Sequence, residues 1–259
     1  MGIVEFTSGI DAAQIALYVF WVFFAGLILY LRREDRREGY PLESDTDGKI
    51  IDPGVIWVPE PKTFKLSHGE EVTAPNNKRD SDRELNARRL DKWPGSPSEP
   101  TGDPMLDAVG PGSYALRADE PEVNDDGRPK IVPMRTAPAF SIADGQDDPI
   151  GMTVVGADKK AAGTVIDAWV DTAENLIRYL EIELSPEAGS RRVLLPIMFA
   201  AIRARQRQVY VHAILSSQFS NVPGIASDSQ VTLLEEDKVS AYYGAGHLYA
   251  TPRRAEPYF

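Results

Sequence analysis

From Ala12 to Leu31 the chain reads AAQIALYVFWVFFAGLILYL, twenty residues without a formal charge and with Gln14 as the one strongly polar side chain. At 1.5 Å per residue such a helix is about 30 Å long, the hydrocarbon thickness of a bilayer. A core helix keeps a polar face, and this run has none. A cleaved signal peptide carries Lys or Arg ahead of a shorter apolar run, whereas here Glu5 and Asp11 precede the run and Arg32 and Arg33 follow it. The pattern predicts a retained transmembrane helix over residues 12–31. Residues 1–31 hold no Lys or Arg, while Arg32, Arg33, Arg36 and Arg37 lie just after the span. Positive charge stays in the cytoplasm, so residues 1–11 are expected outside and everything from Arg32 onward inside.

Beyond the span the pattern breaks up. Between Tyr40 and Ala139 lie fourteen of the chain's twenty prolines, among short apolar words such as VIWV at Val55 to Val58 and KTFKL at Lys62 to Leu66. Proline removes a backbone donor and disfavours helix at the residue before it, so an irregular chain with short strands is predicted. The apolar words argue that residues 32–139 form an extended segment ordered on a partner, because a disordered linker has few Trp, Phe, Ile or Leu to bury. Asn76 to Pro100, polar and charged, reads as a mobile loop.

After Phe140 short alternating runs begin: GMTVVG (Gly151 to Gly156), GTVIDAWV (Gly163 to Val170), IRYLEIEL (Ile177 to Leu184), RRVLLP (Arg191 to Pro196) and QVYVHAIL (Gln208 to Leu215). In the third, Leu180, Ile182 and Leu184 alternate with Tyr179, Glu181 and Glu183, which predicts one buried and one wet face. Such closely spaced short strands predict a small antiparallel barrel or sandwich. Thr232 and Glu235 have capping-box spacing, LLEEDKVSAYY continues as a helix, and Gly244 is placed as its stop. The expected fold is a single transmembrane α-helix, an extended Pro-rich segment, and a mainly β domain over residues 140–259 with a C-terminal helix.

Composition then narrows the chemistry. Lys and Arg number 28 against 39 Asp and Glu, a net charge of −11, which argues against nucleic acid as a partner. Zero cysteine excludes disulfide scaffolds, thiolate zinc sites, iron-sulfur clusters and cysteine nucleophiles. His68, His212 and His247 are far apart, and no HExxH, GxSxG, Walker A or GxGxxG pattern occurs, so no metal site and no catalytic residue is expected. His212, alternating with Tyr210 and Ile214, reads as structural. Gly110-Pro111-Gly112 and Gly244-Ala245-Gly246 read as turn or cap glycines. What remains is carboxylate: Asp167, Asp171, Glu174, Glu181 and Glu183 with Arg178 among them, and Glu235, Glu236 and Asp237 as a second group. They read either as a solvated strand face and a charged helix start, or as a proton path of carboxylates with raised pKa values bridged by water.

The span followed by REGYPLE (Arg37 to Glu43), PKTF (Pro61 to Phe64), TGDPM (Thr101 to Met105), KIVPM (Lys130 to Met134), DPIGMTV (Asp148 to Val154) and VTLLEEDK (Val231 to Lys238) resembles the H subunit of the purple bacterial photosynthetic reaction centre nearly end to end. REGYPLE after one amino-terminal helix, with VTLLEEDK near the carboxyl end, is the specific combination. The resemblance implies one helix beside the L and M subunits, an extended segment on their cytoplasmic face, and a PRC-type antiparallel β-barrel. It implies the bacterial inner, intracytoplasmic photosynthetic membrane, with residues 1–11 periplasmic. It further implies a non-enzymatic subunit that binds no cofactor alone, with bacteriochlorophyll, bacteriopheophytin, quinones and non-haem iron held by partner subunits. A cytochrome subunit, light-harvesting antenna and membrane lipids are further expected partners.

In that family the subunit caps the L and M core, shields the secondary quinone site and conducts protons to it. A doubly reduced quinone in a site closed to bulk solvent needs such a relay. Carried onto this chain, the inner acidic residue falls on Glu174, its neighbour on Asp171 and the adjacent arginine on Arg178. Some relatives collect protons with surface histidines in the stretch matching Glu122 to Lys130, which here reads EVNDDGRPK. Glu122, Asp125 and Asp126 are the expected substitutes for the missing histidines. Tyr30, Arg32 and Arg33 match the lipid-contacting zone. Two rival classes stand beside this reading: a membrane-tethered PRC-barrel scaffold or regulator recruiting soluble partners, and a single-pass enzyme with an unrecognised site.

Overall fold

The computed structural model describes residues 11–44, 46–47, 49–52, 54, 57–67, 69–76 and 85–255. Residues 1–10, Val55 and Ile56 of VIWV, His68 and residues 77–84 lie outside that set. The chain divides into two compact units, Met1–Ser81 with Lys92–Ser96, and Asp82–Asp91 with Pro97–Phe259.

In the first unit the apolar run forms α1, Ala12–Glu34, capped by Asp11, whose Oδ1 accepts from the Gln14 N–H at 2.8 Å. No residue of α1 is buried, and its large apolar side chains from Leu17 to Leu31 are all exposed. Leaving that surface in water costs about 25 cal/mol per Å², a cost that a bilayer or neighbouring helices remove. The helix is long and apolar enough to cross a membrane. It runs past Leu31 through Arg32 and Arg33 before a tight turn at Asp35–Arg37. Arg37, read from the sequence only as part of the positive flank after the span, is engaged within the chain. It donates to both Glu34 carboxylate oxygens at 2.9 Å and to the carbonyls of Glu60 at 2.8 Å and Ala74 at 2.9 Å. The guanidinium thereby ties the helix end to a hairpin of β1 (Lys62–Lys65) and β2 (Glu71–Ala74). Among the described residues no α-helix follows until Leu233, which from Tyr40 to Ala139 fits the density of prolines.

The second unit opens with a small hairpin, β3 (Ala87–Arg89) with β4 (Ser98–Pro100), inside the stretch expected to be a mobile loop. Its main sheet contains β5 (Ile131–Pro133), β6 (Thr153–Val155), β7 (Ala161–Asp171), β8 (Leu176–Leu184), β9 (Arg192–Pro196), β10 (Ala200–Arg203) and β11 (Gln208–Val211). The order is β10-β11-β6-β7-β8-β9, with β5 added against β7. All pairs are antiparallel except β11 with β6. Two strands, β5 and β10, fall outside the alternating runs, and β5 joins this sheet from ahead of residue 140. β11 stops at Val211 because the chain turns away, the Ile214 carbonyl accepting from Ala157 N–H at 2.8 Å. His212 is consequently exposed while Ile214 is fully buried, so the expected alternation of the two does not hold.

The wet face expected for β8 is also corrected. Tyr179 and Glu181 are 5% and 3% exposed, and of the three only Glu183 faces solvent. The pairing of β7 with β8 shifts register between Val165 and Asp167 and again between Trp169 and Val170. A bulge rotates the side chains that follow it, so Asp167 to Asp171 are buried in succession instead of alternately.

The C-terminal helix α2, Leu233–Tyr249, starts as expected: Thr232 Oγ1 accepts from Glu235 N–H at 3.1 Å and Glu235 Oε2 accepts from Thr232 N–H at 2.9 Å. It does not stop at Gly244. A Cβ at Gly244 would stand 2.8 Å from the Pro111 carbonyl oxygen, and one at Gly246 would meet the Ala213 carbonyl and Ile214. These glycines let the helix lie directly on neighbouring backbone. The core beneath it holds Trp169, Tyr243, Phe219, Leu180, Ile182 and Leu194, all fully buried.

Candidate functional site

The turn between β7 and β8 is built by Asp171. Its Oδ1 accepts from the N–H groups of Ala173 at 3.0 Å and Glu174 at 2.9 Å, and its carbonyl accepts from Asn175 N–H at 2.9 Å. Its Oδ2 faces Arg178, whose Nε and Nη2 each stand 3.2 Å away, and the Lys130 ammonium at 3.7 Å. The side chain is fully buried. Burial alone would raise this carboxyl, but the N–H groups of Glu174 and Ala173, then Lys130 and Arg178, outweigh it and hold it below the usual carboxylate range.

Lys130 is placed by backbone at both ends. Its N–H donates to the Glu122 carbonyl at 2.7 Å, and its carbonyl accepts from Thr172 N–H at 2.9 Å and Thr172 Oγ1 at 3.0 Å. Its ammonium then reaches Glu122 at 3.4 Å and both Asp171 and Glu174 at 3.7 Å. Burial would lower the Lys130 ammonium; Asp171, Glu122 and Glu174 raise it above its ordinary value. Glu174 completes the group, 3.3 Å from Arg178, with its side chain 51% exposed in this chain. Glu122, Asp171, Glu174 and Arg178, named from the sequence, therefore converge on one spot, with Lys130 as a member that sequence reasoning passed over.

Asp125 and Asp126 lie at the tip of the hairpin that carries Glu122. Asn124 Oδ1 accepts from Asp126 N–H at 3.1 Å and Arg128 N–H at 3.0 Å, and Asp126 pairs with Arg128 at 3.1 Å in the open. Both aspartates line an open cleft of about 520 Å³ with Glu122 and Lys130. On the helix side, Tyr179 donates to Glu236 at 2.7 Å. Burial pushes the Glu236 carboxyl up, the Tyr179 hydroxyl opposing and Glu122 adding to the rise. Tyr30, Arg32 and Arg33 are exposed at the far end of α1, with Arg32 3.7 Å from Asp35.

The reading of the acidic residues as a solvated strand face fails for Asp167 and Glu181 as well. Arg135 donates to Asp167 at 2.9 Å and to Glu181, the Trp169 Nε1–H donates to Glu181 at 3.1 Å, and Arg192 stands 3.5 Å from it. No pattern near Glu181 signals this, because the cation comes from the turn after β5. Among the described residues no group of three His, Cys, Asp or Glu is set to hold a metal ion.

The model of the photosynthetic reaction centre H-chain N-terminal region matches residues 4–136. The chain belongs to the reaction-centre H-chain family. A PRC-barrel domain model matches residues 141–218, the part that forms β6 to β11. Membership makes this H chain a photosynthetic reaction-centre subunit, associated with L and M subunits and structural in kind, in a family whose pigments reside in other subunits. One apolar amino-terminal helix fits a single-pass membrane protein.

Proposed function

We propose that this H chain caps the cytoplasmic face of the L and M core and conducts protons to the secondary quinone. The observation that carries the reading is the continuity of the charged group: Asp125 and Asp126 at the cleft rim, Glu122 beside Lys130, then Asp171, Glu174 and Arg178. Within it the roles divide. Asp171, buried and held low by four donors and Lys130, stays ionised and fixes Lys130 and Arg178 in place. Glu174 is the member open to water on one side, 51% exposed in the free chain and 3.3 Å from Arg178, and it is the carboxylate that passes the proton inward. Glu122, Asp125 and Asp126 collect protons at the surface in place of histidine. The arginines after α1 support a cytoplasmic barrel, with Tyr30, Arg32 and Arg33 meeting lipid head groups. The match to the H-chain N-terminal region favours this over a free-standing PRC-barrel tether, which has no use for that segment.

Glu174→Gln keeps the shape and removes the carboxylate that could carry a proton. In assembled reaction centres it leaves the first electron transfer to the secondary quinone unchanged and slows the proton-coupled second transfer, by about a hundredfold or more for one positioned acid-base group. Flash-induced quinone kinetics across pH read this directly, with the exposed Glu183→Gln as control. Parent rates in both variants at every pH overturn the relay.

A further inference from the structure

The barrel domain carries a second charged feature that the relay does not use. Arg203 at the end of β10, and Arg205 and Arg207 on the turn that leads to β11, fall within five residues, all three exposed. In a chain of net charge −11 they form no ion pair among the described residues. Other arginines of this unit are engaged: Arg135 and Arg178 with carboxylates, Arg191 and Arg254 with backbone carbonyls. Arg203 has its Cζ 4.2 Å from the centre of the Tyr210 ring, a cation–π contact that holds the guanidinium on that face. β10 is the end strand of the sheet, and Met198 just ahead of it is 79% exposed.

Strand polarity gives the patch a direction. β11 runs parallel to β6 and β6 antiparallel to β7, so the turn feeding β11 points the same way along the sheet as the turn where β7 ends at Asp171. The β6–β7 turn, with exposed Lys159 and Lys160, points the opposite way. We infer that the Arg203–Arg205–Arg207 tip is a docking element for a carboxylate-rich protein surface on the L and M core, steering the barrel so that the Asp171 turn meets the quinone side. This rests on the proposed function, because that reading is what turns the Asp171 end toward the core. Unpaired rim cations of this kind act chiefly on association rate and salt dependence.

The test uses the full-length chain and a core stripped of this subunit, in lipid-free detergent, with association followed over a range of salt. Arg205→Glu with Arg207→Glu slows association about tenfold and flattens its salt dependence. Arg205→Lys with Arg207→Lys retains most of the parent rate, and Lys159→Glu with Lys160→Glu, the same charge change at the other end, leaves it unaltered. Unfolding of each variant by the fluorescence of buried Trp169 checks that the fold is kept. The proposal is overturned if neither reversal slows association or both slow it equally, and also if slowing needs added anionic lipid, which would assign the tip to head groups. A parent chain that fails to bind the core refutes the proposed function itself; a parent that binds beside an equally fast Arg205→Glu, Arg207→Glu variant refutes the docking tip alone.

Discussion

Asp171→Asn tests how the charged site is held together. The amide oxygen of Asn can still accept from Ala173 and Glu174 N–H, so the turn keeps its shape. Its NH₂ group instead faces the Arg178 fork and the Lys130 ammonium, setting donors against donors. Breaking a fully buried ion pair costs about 3–5 kcal/mol, and a surface pair contributes about 0–1 kcal/mol. Asp171 is wholly buried but Arg178 is 40% exposed, and the 3.2 Å contacts are long for charge-assisted bonds. The expected loss is therefore intermediate, about 2–3 kcal/mol.

The pH dependence carries a sign. The folded-state carboxyl lies below its ordinary value, so its stabilisation is present above the unfolded pKa of about 3.9 and lost as pH falls through the folded value. Denaturant unfolding followed by Trp169, which is fully buried on β7, measures the difference between parent and variant. It should be full at neutral pH and shrink in acid below about pH 4. A variant as stable as the parent at neutral pH, or a difference that does not change with pH, refutes the anchoring role.

Three further outcomes follow from the packing. Arg135→Met leaves Asp167 and Glu181 buried with only Arg192 nearby and should cost about 3–5 kcal/mol, with Arg135→Lys recovering part of it, as read by the unfolding midpoint. Gly246→Ala gains about 1 kcal/mol of helix propensity, yet its Cβ would stand 2.5 Å from Ile214 Cγ2 and also crowd the Ala213 carbonyl, so overpacking of about 1–3 kcal/mol wins and thermal unfolding should move down. Glu236, its carboxyl raised by burial, contributes stability that is full below about pH 4.3 and lost as pH rises through the folded value; Glu236→Gln should flatten that decline in a stability-versus-pH series.

What could be read from the sequence was whatever neighbouring residues decide between themselves. Twenty uncharged residues make a span whatever surrounds them, Thr232 and Glu235 cap each other across three positions, and the runs at β6 to β9 alternate enough to declare strands. Gly244 was misread because a left-handed stop and a close backbone approach both select glycine, and only the position of Pro111 separates them. The bulges of β7 hid the burial of Asp167 and Glu181, whose shared cation lies 32 and 46 residues away in sequence.

The charge state of a buried carboxylate is likewise set by neighbours that sequence distance conceals. Asp171 reads as one acid among several until Lys130, fixed by the backbone of Glu122 and Thr172, is placed against it. That pairing separates two carboxylates three positions apart into a buried, ionised anchor and a half-exposed partner. On the proposed function the same rule extends beyond the chain. A core subunit that covers Glu174 removes its water while leaving the Asp171 contacts intact, so docking changes the surroundings of one carboxylate and not of the other. The relay is then competent only in the assembled complex, where the quinone that needs it is bound.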